Sequence, residues 1–253
     1  MNCLFAAPWD QSMTRPLLLI VAVAMGCAHS DTAMSNPGDT LGPGHNYTTA
    51  FPVTESPLSE GGRWLNGGTD GADWSDVSST RGFAIGHETG ASFSDATALL
   101  KGNWGPNQRA TATVFAMTTL TEDCSSEVEL RLRSTLSPRR NRGYEVSFKV
   151  SQTDAAYLII VRWNGALGDY SYLFQGTGAQ YGIKNGDVIS ATIVGDTITA
   201  YRNGEALAQA TDHTFASGSP GMGFNLENGP AECRGTNDRY GFSSFEATDA
   251  IAR

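Results

Sequence analysis

Charged and apolar residues alternate along the segment 126–133, and this spacing is the strongest chemical signal in the sequence. Successive side chains of a β-strand point to opposite faces, so all four charged side chains would share one face. These are Glu127, Glu129, Arg131 and Arg133. The apolar side chains between them, Val128, Leu130 and Leu132, would then face a core. We therefore predict a charged, solvent-exposed sheet face with a buried face behind it.

This face is open to two interpretations. The next predicted strand, 143–150, places Glu145 beside the first strand. The charges could form solvated cross-strand ion pairs, which contribute at most about 1 kcal/mol each. Alternatively, the face could be concave and bind a glycan through hydrogen bonds to its hydroxyl groups. The polar residues predicted to make such contacts are Glu129, Arg131, Arg133 and Glu145.

Two aromatic residues near the ends of later strands, Trp163 and Tyr172, are predicted to be stacking platforms for a sugar. An aromatic ring offers a flat apolar surface with a polar group at its edge, which suits the apolar face of a pyranose. The same two rings could instead close one end of the core. Trp74 and Trp104 lie in other glycine-rich loops.

The same charged strand also carries a pair of acids with the spacing that catalysis could use. Glu127 and Glu129 could approach within the roughly 5–10 Å that a pair of glycosidase carboxylates needs. Jelly-roll glucanases carry Glu-x-Asp-x-x-Glu on such a strand, and this segment lacks the last acid. Glu129-Leu130-Arg131 resembles part of the Arg-x-Glu-Leu-Arg motif of alginate lyases, whose companion Gln-x-His strand is missing. We therefore assign no catalytic residue and expect a binding protein, with a polysaccharide lyase or hydrolase as the alternative.

No cofactor or metal is predicted. The four histidines are scattered, and two cysteines without nearby histidines are too few for a zinc site. Several oxygen-bearing side chains in one loop could hold calcium, although their spacing fits no calcium motif. They are Asn66, Asp70, Asp73 and Asp76. Capping of turns by these Asx side chains is the preferred interpretation.

The composition limits the fold and the partners. The 253 residues include 29 glycines and carry a formal net charge of −9. An acidic surface repels phosphate backbones, so nucleic acid is not an expected partner. A glycan or polysaccharide is the expected partner. The chain is rich in turn-forming residues and shows no helical period after Cys27, which favours an all-β fold.

The first residues are typical of an export signal. Arg15 precedes an apolar run, 17–25, that is too short to span a bilayer. The run ends at Cys27, where the sequence resembles a bacterial lipobox, so we predict a signal peptide over 1–27 and lipidation of Cys27. A secreted protein with an incidental cysteine is the alternative, and Met13 could be the true start.

The predicted location is the outer membrane or the cell surface, with contact to the membrane through the lipid alone. Residues 28–49 are predicted to form a flexible tether, because they are rich in Ser, Thr, Asn, Gly and Pro. A single folded domain is predicted over 50–250.

Cys124 and Cys233 remain in the predicted domain, 109 positions apart. In an exported chain two cysteines favour one disulfide, although two free thiols are also possible.

Ten strands are predicted from alternating segments bounded by turn residues. They are 83–85, 107–116, 126–133, 143–150, 157–163, 170–174, 187–194, 197–202, 221–225 and 240–248. Strands at this spacing make two packed antiparallel sheets.

The C-terminal motifs resemble the laminin-G-like branch of the concanavalin A-like lectin/glucanase superfamily. The hairpin over 187–202 ends at Asn203-Gly204, and Gly221-Met222-Gly223-Phe224 follows it. The resemblance covers roughly 51–248 and implies a two-sheet antiparallel jelly-roll sandwich that binds carbohydrate or protein. Because members of this superfamily differ in function, a structural or adhesion module remains a third possibility.

Overall fold

The computed structural model describes residues 44–88, 95–118, 124–226, 233 and 237–251. The predicted signal peptide, the lipidation site at Cys27 and most of the predicted tether lie outside the described residues. In the part of the chain that is described, no helix combines the length and apolarity required to cross a bilayer.

Fifteen strands occur among the described residues, with one short α-helix, α1, at Gly67–Gly71, and 3-10 helices at Ala179–Tyr181 and Asn237–Arg239. The first seven strands are β1 Asn46–Thr49, β2 Trp64–Asn66, β3 Val77–Thr80, β4 Phe83–Gly86, β5 Ala96–Leu100, β6 Gln108–Ala116 and β7 Ser126–Ser137. The remaining strands are β8 Arg140–Lys149, β9 Tyr157–Gly165, β10 Tyr170–Thr177, β11 Val188–Val194, β12 Thr197–Arg202, β13 Glu205–Thr211, β14 Ser219–Leu226 and β15 Tyr240–Thr248.

The strands form two antiparallel sheets. One has seven strands in the order β10-β9-β8-β7-β14-β5-β2. The other has eight, in the order β13-β12-β11-β6-β15-β4-β3, with β1 paired to β15. The chain changes sheet repeatedly, so strands adjacent in a sheet are often distant in sequence. The predicted all-β sandwich of two antiparallel sheets is confirmed.

The main core lies between the two sheets. The seven-stranded sheet contributes the side chains that sequence alternation assigned to the interior, and these are fully buried. They are Val128, Leu130, Leu132, Tyr144, Val146 and Phe148. The facing sheet contributes Ile189, Ala191, Ile193, Ile198, Phe242 and Phe245. The period-two interpretation of β7 and β8 is therefore confirmed on their inner faces.

All ten predicted strands are present, and five short strands were missed: β1, β2, β3, β5 and β13. Strand β5 reads Ala-Thr-Ala-Leu-Leu and is buried on both faces, so it lacks an alternating signal. Strand β13 reads Glu-Ala-Leu-Ala-Gln-Ala-Thr, which are mostly helix formers. Its pairing with β12 across the Asn203-Gly204 turn overrides that propensity.

The start of the domain also differs from the prediction. Residues 46–49, assigned to the tether, form β1 and pair with the end of β15. Their polar sequence resembles a linker, but backbone pairing to β15 does not depend on apolar side chains. Tyr47 also packs edge-on against Trp64, with ring centroids 5.4 Å apart.

A disulfide joins Cys124 to Cys233, with Cα atoms 5.5 Å apart. Both residues are buried, and Cys124 lies two positions before β7. The bridge therefore ties the start of β7 to the connection between β14 and β15.

Candidate functional site

The outer face of the seven-stranded sheet carries the candidate site. Strand β7 lies between β8 and β14, and its register aligns Arg131 with Glu145 and Glu129 with Gly223. On the far side of β14, Gly223 is aligned with Thr97 of β5. Antiparallel pairing therefore collects these outward residues from distant parts of the sequence at the centre of one sheet.

The charged residues of this face are buried, so the predicted solvent-exposed face is wrong. Relative exposure is 0% for Glu129, 1% for Arg131 and 3% for Glu145. Asp95, which precedes β5, joins them at 4% exposure. Charged groups tolerate burial when they are paired and hydrogen-bonded, and this arrangement meets that condition in large part.

The guanidinium of Arg131 holds the cluster together. Its Nη1 lies 2.6 Å from Glu145 Oε2, and its Nη2 lies 3.4 Å from Asp95 Oδ2. Nη2 also donates to Glu129 Oε2. A planar fork with several donors can serve three carboxylates at once, which a lysine ammonium does less well. We name Asp95, Glu129, Arg131 and Glu145 the ion cluster.

Neighbouring groups fix the Glu145 carboxylate further. Ser147 Oγ donates to Glu145 Oε1 at 2.7 Å, and Trp163 Nε1 donates to Glu145 Oε2 at 2.5 Å. The Arg131 guanidinium also lies 5.9 Å from the centre of the Trp163 ring. Both oxygens of Glu145 are therefore engaged, and the cluster is connected to an aromatic wall.

Gly223 gives the cluster its room on β14. A Cβ at this position would collide with Glu129 Oε2 and approach Arg131 Nε to 3.1 Å. The Glu129 carboxylate and the Arg131 side chain therefore lie across the backbone of β14. Within the Gly221-x-Gly223 pattern, Gly223 is therefore needed for a steric reason, because any side chain here would collide with the Glu129 carboxylate.

Burial changes the proton affinity of the acids. It raises the pKa of Glu129 well above its usual range, against the opposing effect of Arg131, and Glu145 and Asp95 raise it further. Burial, followed by the charge of Glu145, raises the pKa of Asp95 to about 7. Near neutral pH the cluster therefore tends to retain a proton on these acids.

Arg133 does not belong to the cluster, contrary to its predicted place on the charged face. A bulge shifts the β7–β8 register between Leu132 and Thr135, and Arg133 has a φ of 45°. Its guanidinium donates to three backbone carbonyls, those of Pro106, Gly195 and Phe215. Arg133 therefore joins loops around the sandwich and is not aligned with Arg131. Alternation cannot reveal this, because a bulge breaks the period of two.

Aromatic rings form a wall beside the ion cluster, on β9, β10 and the loop after α1. Trp163 stands edge-on to Trp74, with centroids 6.2 Å apart, and lies 5.5 Å from Tyr170. Tyr170 and Tyr172 are nearly perpendicular, at 82°. Tyr172 is 48% exposed, while Trp163 is buried. These rings pack on the outer face of the sheet, so they do not close the main core.

A small pocket of about 50 Å³ lies where the wall meets the acids. Its lining residues are Asp95, Glu127, Glu145, Ile159, Val161, Trp163, Tyr170, Tyr172 and Asn225. Of the residues predicted to bind ligand, Glu145, Trp163 and Tyr172 line this pocket, while Glu129 and Arg131 lie in the adjoining ion cluster.

Sequence reasoning missed four of the pocket's polar or aromatic groups as ligand contacts. Tyr170 could have been found, because it shares a strand face with Tyr172 at the period of two. Glu127 was placed on the charged face but not among the contacts. Asp95 and Asn225 gave no signal, because each reaches the pocket through pairing between distant strands.

Metal ligation can be judged from the same geometry. One carboxylate oxygen from each of Asp95, Glu129 and Glu145 lies within 4.8 Å of the others. These three could hold a cation, although Arg131 already donates to all of them. In the loop considered for calcium, Asp70 and Asp76 instead accept backbone N–H groups of Asn66, Gly68 and Thr69. That loop uses its acids for capping.

A larger depression of about 530 Å³ lies on the outer face of the eight-stranded sheet. Arg109, Thr111, Ser190, Tyr201 and Glu246 are among its lining residues. Size alone does not identify a site, and the residues described here bring no buried ion cluster to this surface. The pocket beside the aromatic wall remains the candidate.

Comparison with known protein structures identifies the fold. No protein-family model and no curated protein matches the sequence. The structure is similar to the exoplasmic/lumenal domain of VIP36 in its Ca²⁺/Man2-bound form, with a TM-score of 0.54, 10% identity, and coverage of 83% of this chain and 89% of that chain. The chain has the concanavalin A-like lectin fold.

Two further structures are similar. The carbohydrate recognition domain of Emp46p in its potassium-bound form gives a TM-score of 0.50 at 11% identity, covering 80% of this chain and 95% of that chain. The carbohydrate-binding module CBM66 from Bacillus subtilis gives 0.48 at 14% identity, covering 68% and 96%. At such identities the likenesses to VIP36 and Emp46p show the sandwich fold alone, and function must be argued from the site.

Replacing Arg131 should destabilise the domain strongly. Arg131→Met leaves buried carboxylates without their counter-charge, so we expect the free energy of unfolding to fall by about 3–5 kcal/mol. Arg131→Lys keeps the positive charge, so it should be at most partly more stable than Arg131→Met and should remain less stable than the wild type. The exposed Arg140, changed to Met, is the matched control. Urea denaturation measures all three variants, and a loss below about 1 kcal/mol for Arg131→Met would contradict the buried cluster.

Glu88 should make stability depend on pH. Burial, together with the charges of Asp95 and Glu127, raises its pKa from 4.5 to about 8. An acid with a raised pKa stabilises the fold below its unfolded pKa, and that contribution is lost as pH rises towards its folded pKa. The wild type should lose up to about 1.4 kcal/mol per pH unit between about pH 5 and 8 from this group.

Glu88→Gln should reduce that slope, while the exposed Glu205→Gln should follow the wild type. Asp95 titrates over part of the same range, so some slope should remain in Glu88→Gln. Denaturation at pH 5, 6.5 and 8 measures the difference. Parallel curves for Glu88→Gln and the wild type would show that the Glu88 carboxyl is solvated.

Proposed function

We propose that this protein binds carbohydrate without cleaving it, at the pocket between the aromatic wall and the ion cluster. The observation that supports the proposal most is the juxtaposition of Tyr170 and Tyr172 with Asp95, Glu127 and Asn225. Sugar recognition needs an apolar surface for the ring face and fixed polar groups for the hydroxyls. The fold is compatible with this role, since the similar domain of Emp46p is a carbohydrate recognition domain and that of VIP36 has a Ca²⁺/Man2-bound form.

Each group has a distinct part in this proposal. Tyr172, the most exposed ring of the wall, stacks on the sugar ring, and Tyr170 supports it with a hydroxyl–hydroxyl contact of 3.4 Å. Asn225 supplies an amide that can both donate and accept. Arg131 and Glu145 act as positioning residues, because their hydrogen bonds fix Trp163 and the floor of the pocket.

Binding without cleavage is favoured because the central acids are occupied. Glu129 and Glu145 each accept from Arg131, and Glu129 is fully buried. A general acid must reach the glycosidic oxygen it protonates. The enzymatic alternative is supported by the raised pKa of Glu129, which is a property of many catalytic acids.

Tyr172→Ala should weaken binding of soluble polysaccharides about tenfold, equivalent to about 1.4 kcal/mol, because the stacking surface is removed. Its stability should change little, since the ring is half exposed. Val188→Ala is the control, because Val188 is exposed on the opposite sheet and lines the larger depression.

Affinity electrophoresis on neutral and acidic polysaccharides measures these variants. Loss of binding in Val188→Ala with full binding in Tyr172→Ala would contradict the proposed site and indicate that the ligand binds on the eight-stranded sheet. Assay of new reducing or unsaturated ends in the same samples tests cleavage. Products formed by the wild type and absent from Glu129→Gln would establish the enzymatic alternative.

We further propose that the protein is exported and held at the outer membrane or cell surface by a lipid on Cys27. The support is the apolar run before Cys27 and the polar stretch after it. Labelled fatty acid should be incorporated into the wild type and not into Cys27→Ser. Absence of label from the wild type, with release into the medium, would favour a secreted protein.

A further inference from the structure

We infer that the depression of about 530 Å³ on the outer face of the eight-stranded sheet is a second binding surface, and that it binds an extended, uncharged polysaccharide chain. The surface is separate from the pocket proposed above, so the two can be tested independently. Three features of the described residues point to it: the register of its polar side chains, two opposite charges without partners, and a tyrosine ring at one end.

Residues that line the depression form a row across five neighbouring strands. Thr111 on β6 is aligned with Glu246 on β15 and with Ser190 on β11. At the two ends of the row, Thr48 of β1 is aligned with Glu246, and Tyr201 of β12 is aligned with Ser190. All five residues line the depression. Neighbouring strands lie about 4.8 Å apart, so the row extends for about 19 Å, which is long enough for several consecutive sugar residues.

A second polar row lies beside the first. Arg109 on β6 is aligned with Thr248 on β15, and Thr248 is aligned with Asn46 on β1. These three residues also line the depression. The residues that alternate with them on β6, Ala110 and Ala112, are buried in the core, so the polar side chains face outward. The depression therefore presents hydroxyl, amide and charged groups in two ordered rows.

Arg109 and Glu246 carry opposite charges that the fold does not use. They lie on neighbouring strands, one aligned pair apart on the same face, and both side chains are exposed. Neither side chain has a hydrogen bond or an ion pair within the part of the chain that the structure describes. A guanidinium offers a fork of donors and a carboxylate offers two acceptor oxygens, while the hydroxyls of a sugar both donate and accept. Both groups are therefore available for a ligand with many hydroxyls.

Tyr201 supplies an aromatic surface at one end of the first row. Its side chain is partly exposed, and its hydroxyl has no hydrogen-bond partner among the described residues. A tyrosine ring has an apolar face and a polar tip, so it can pack on a sugar ring and bond to a hydroxyl. The aligned hydroxyl of Ser190 lies on the next strand, where it shares a hydrogen bond of 2.9 Å with Thr111. A sugar chain that begins on Tyr201 therefore continues over polar partners.

Charge and polarity favour a neutral chain over other ligands. The two rows contain one positive and one negative side chain, so they balance. An acidic polysaccharide would meet Glu246 and the net charge of −9, and a basic ligand would meet Arg109. A protein partner or a second copy would need an apolar centre to its interface. Val188, the exposed aliphatic residue that lines the depression, is aligned with Thr113 and lies outside both rows.

Two surfaces on one molecule have a mechanical consequence. The pocket and the depression lie on the outer faces of opposite sheets, so one protein molecule can hold two polysaccharide chains at once. Linked binding of this kind joins separate chains into a network without any new contact. The protein should therefore cross-link a polysaccharide that it binds at both surfaces.

The test counts the hexasaccharides bound by the full-length protein. Neutral hexasaccharides of β-1,4-linked glucose, xylose and mannose are titrated in a calorimeter, with hexagalacturonate as the acidic comparison. A neutral hexasaccharide should bind to two sites on each protein molecule. The double variant Arg109→Ala/Tyr201→Ala should weaken one site at least tenfold, and Tyr172→Ala should weaken the other. Hexagalacturonate should bind the depression at least tenfold more weakly than the neutral chain does.

Two further variants guard against a change of fold. Glu246→Gln keeps the shape of an exposed side chain, so it should fold as the wild type does and weaken binding at the depression about threefold. Arg81→Ala is the matched control, because Arg81 is exposed in the turn between β3 and β4 and does not line the depression. Circular dichroism verifies the fold of each variant. Turbidity of a soluble polysaccharide that the wild type cross-links should disappear with Arg109→Ala/Tyr201→Ala and persist with Arg81→Ala.

The outcomes separate the two surfaces. A single site that is lost in Tyr172→Ala and kept in Arg109→Ala/Tyr201→Ala would overturn the second surface and leave the proposed pocket intact. A single site with the reverse response would support the second surface and contradict the pocket. Failure of every hexasaccharide to bind would overturn both.

Two more results would contradict the inferred ligand of the depression. Tighter binding of hexagalacturonate than of any neutral hexasaccharide, lost in Arg109→Ala/Tyr201→Ala, would show that the depression takes an acidic chain. A dimer in analytical ultracentrifugation that the same double variant abolishes, with saccharide binding unchanged, would show that a second copy of this chain covers the depression.

Discussion

The burial of one guanidinium among three carboxylates is the constraint on which this face of the molecule depends. Arg131 neutralises acids that come from β7, β8 and the start of β5, and it can do so because β14 carries Gly223 at the crossing point. Ion pairs of this kind often add little net stability, yet losing one partner is costly. Because each partner is needed, the ion cluster favours the observed alignment of β5, β7, β8 and β14.

The alternation of residues in the sequence predicts the inner face of the seven-stranded sheet, but it does not predict most of the arrangement on the outer face. Alternation in β7 assigned Val128, Leu130 and Leu132 to the core, because a sheet that packs on another must bury one face. It could not tell that the other face is buried too, since an exposed charged row and an internal ion cluster have the same period. Asp95 belongs to a segment without alternation, and Arg133 is removed from the row by a bulge.

The site follows from these constraints. The Glu145 carboxylate connects Arg131 to the indole of Trp163, so the aromatic wall and the acids are held in one hydrogen-bonded arrangement. The exposed ring of Tyr172 then lies beside a pocket floor lined by acidic and amide side chains, those of Asp95, Glu127 and Asn225. The carbohydrate proposed as ligand fits such a surface, because a sugar has an apolar ring face and hydroxyl groups.

A double-mutant cycle between Arg131 and Glu145 tests the central claim most directly. The free energies of unfolding of Arg131→Met, Glu145→Gln and the double variant give the coupling between the two side chains, independent of what each loses separately. The buried cluster predicts a coupling above about 1.5 kcal/mol, because both groups are desolvated and share a short hydrogen bond. A coupling below about 0.5 kcal/mol, as for solvated surface pairs, would contradict the account.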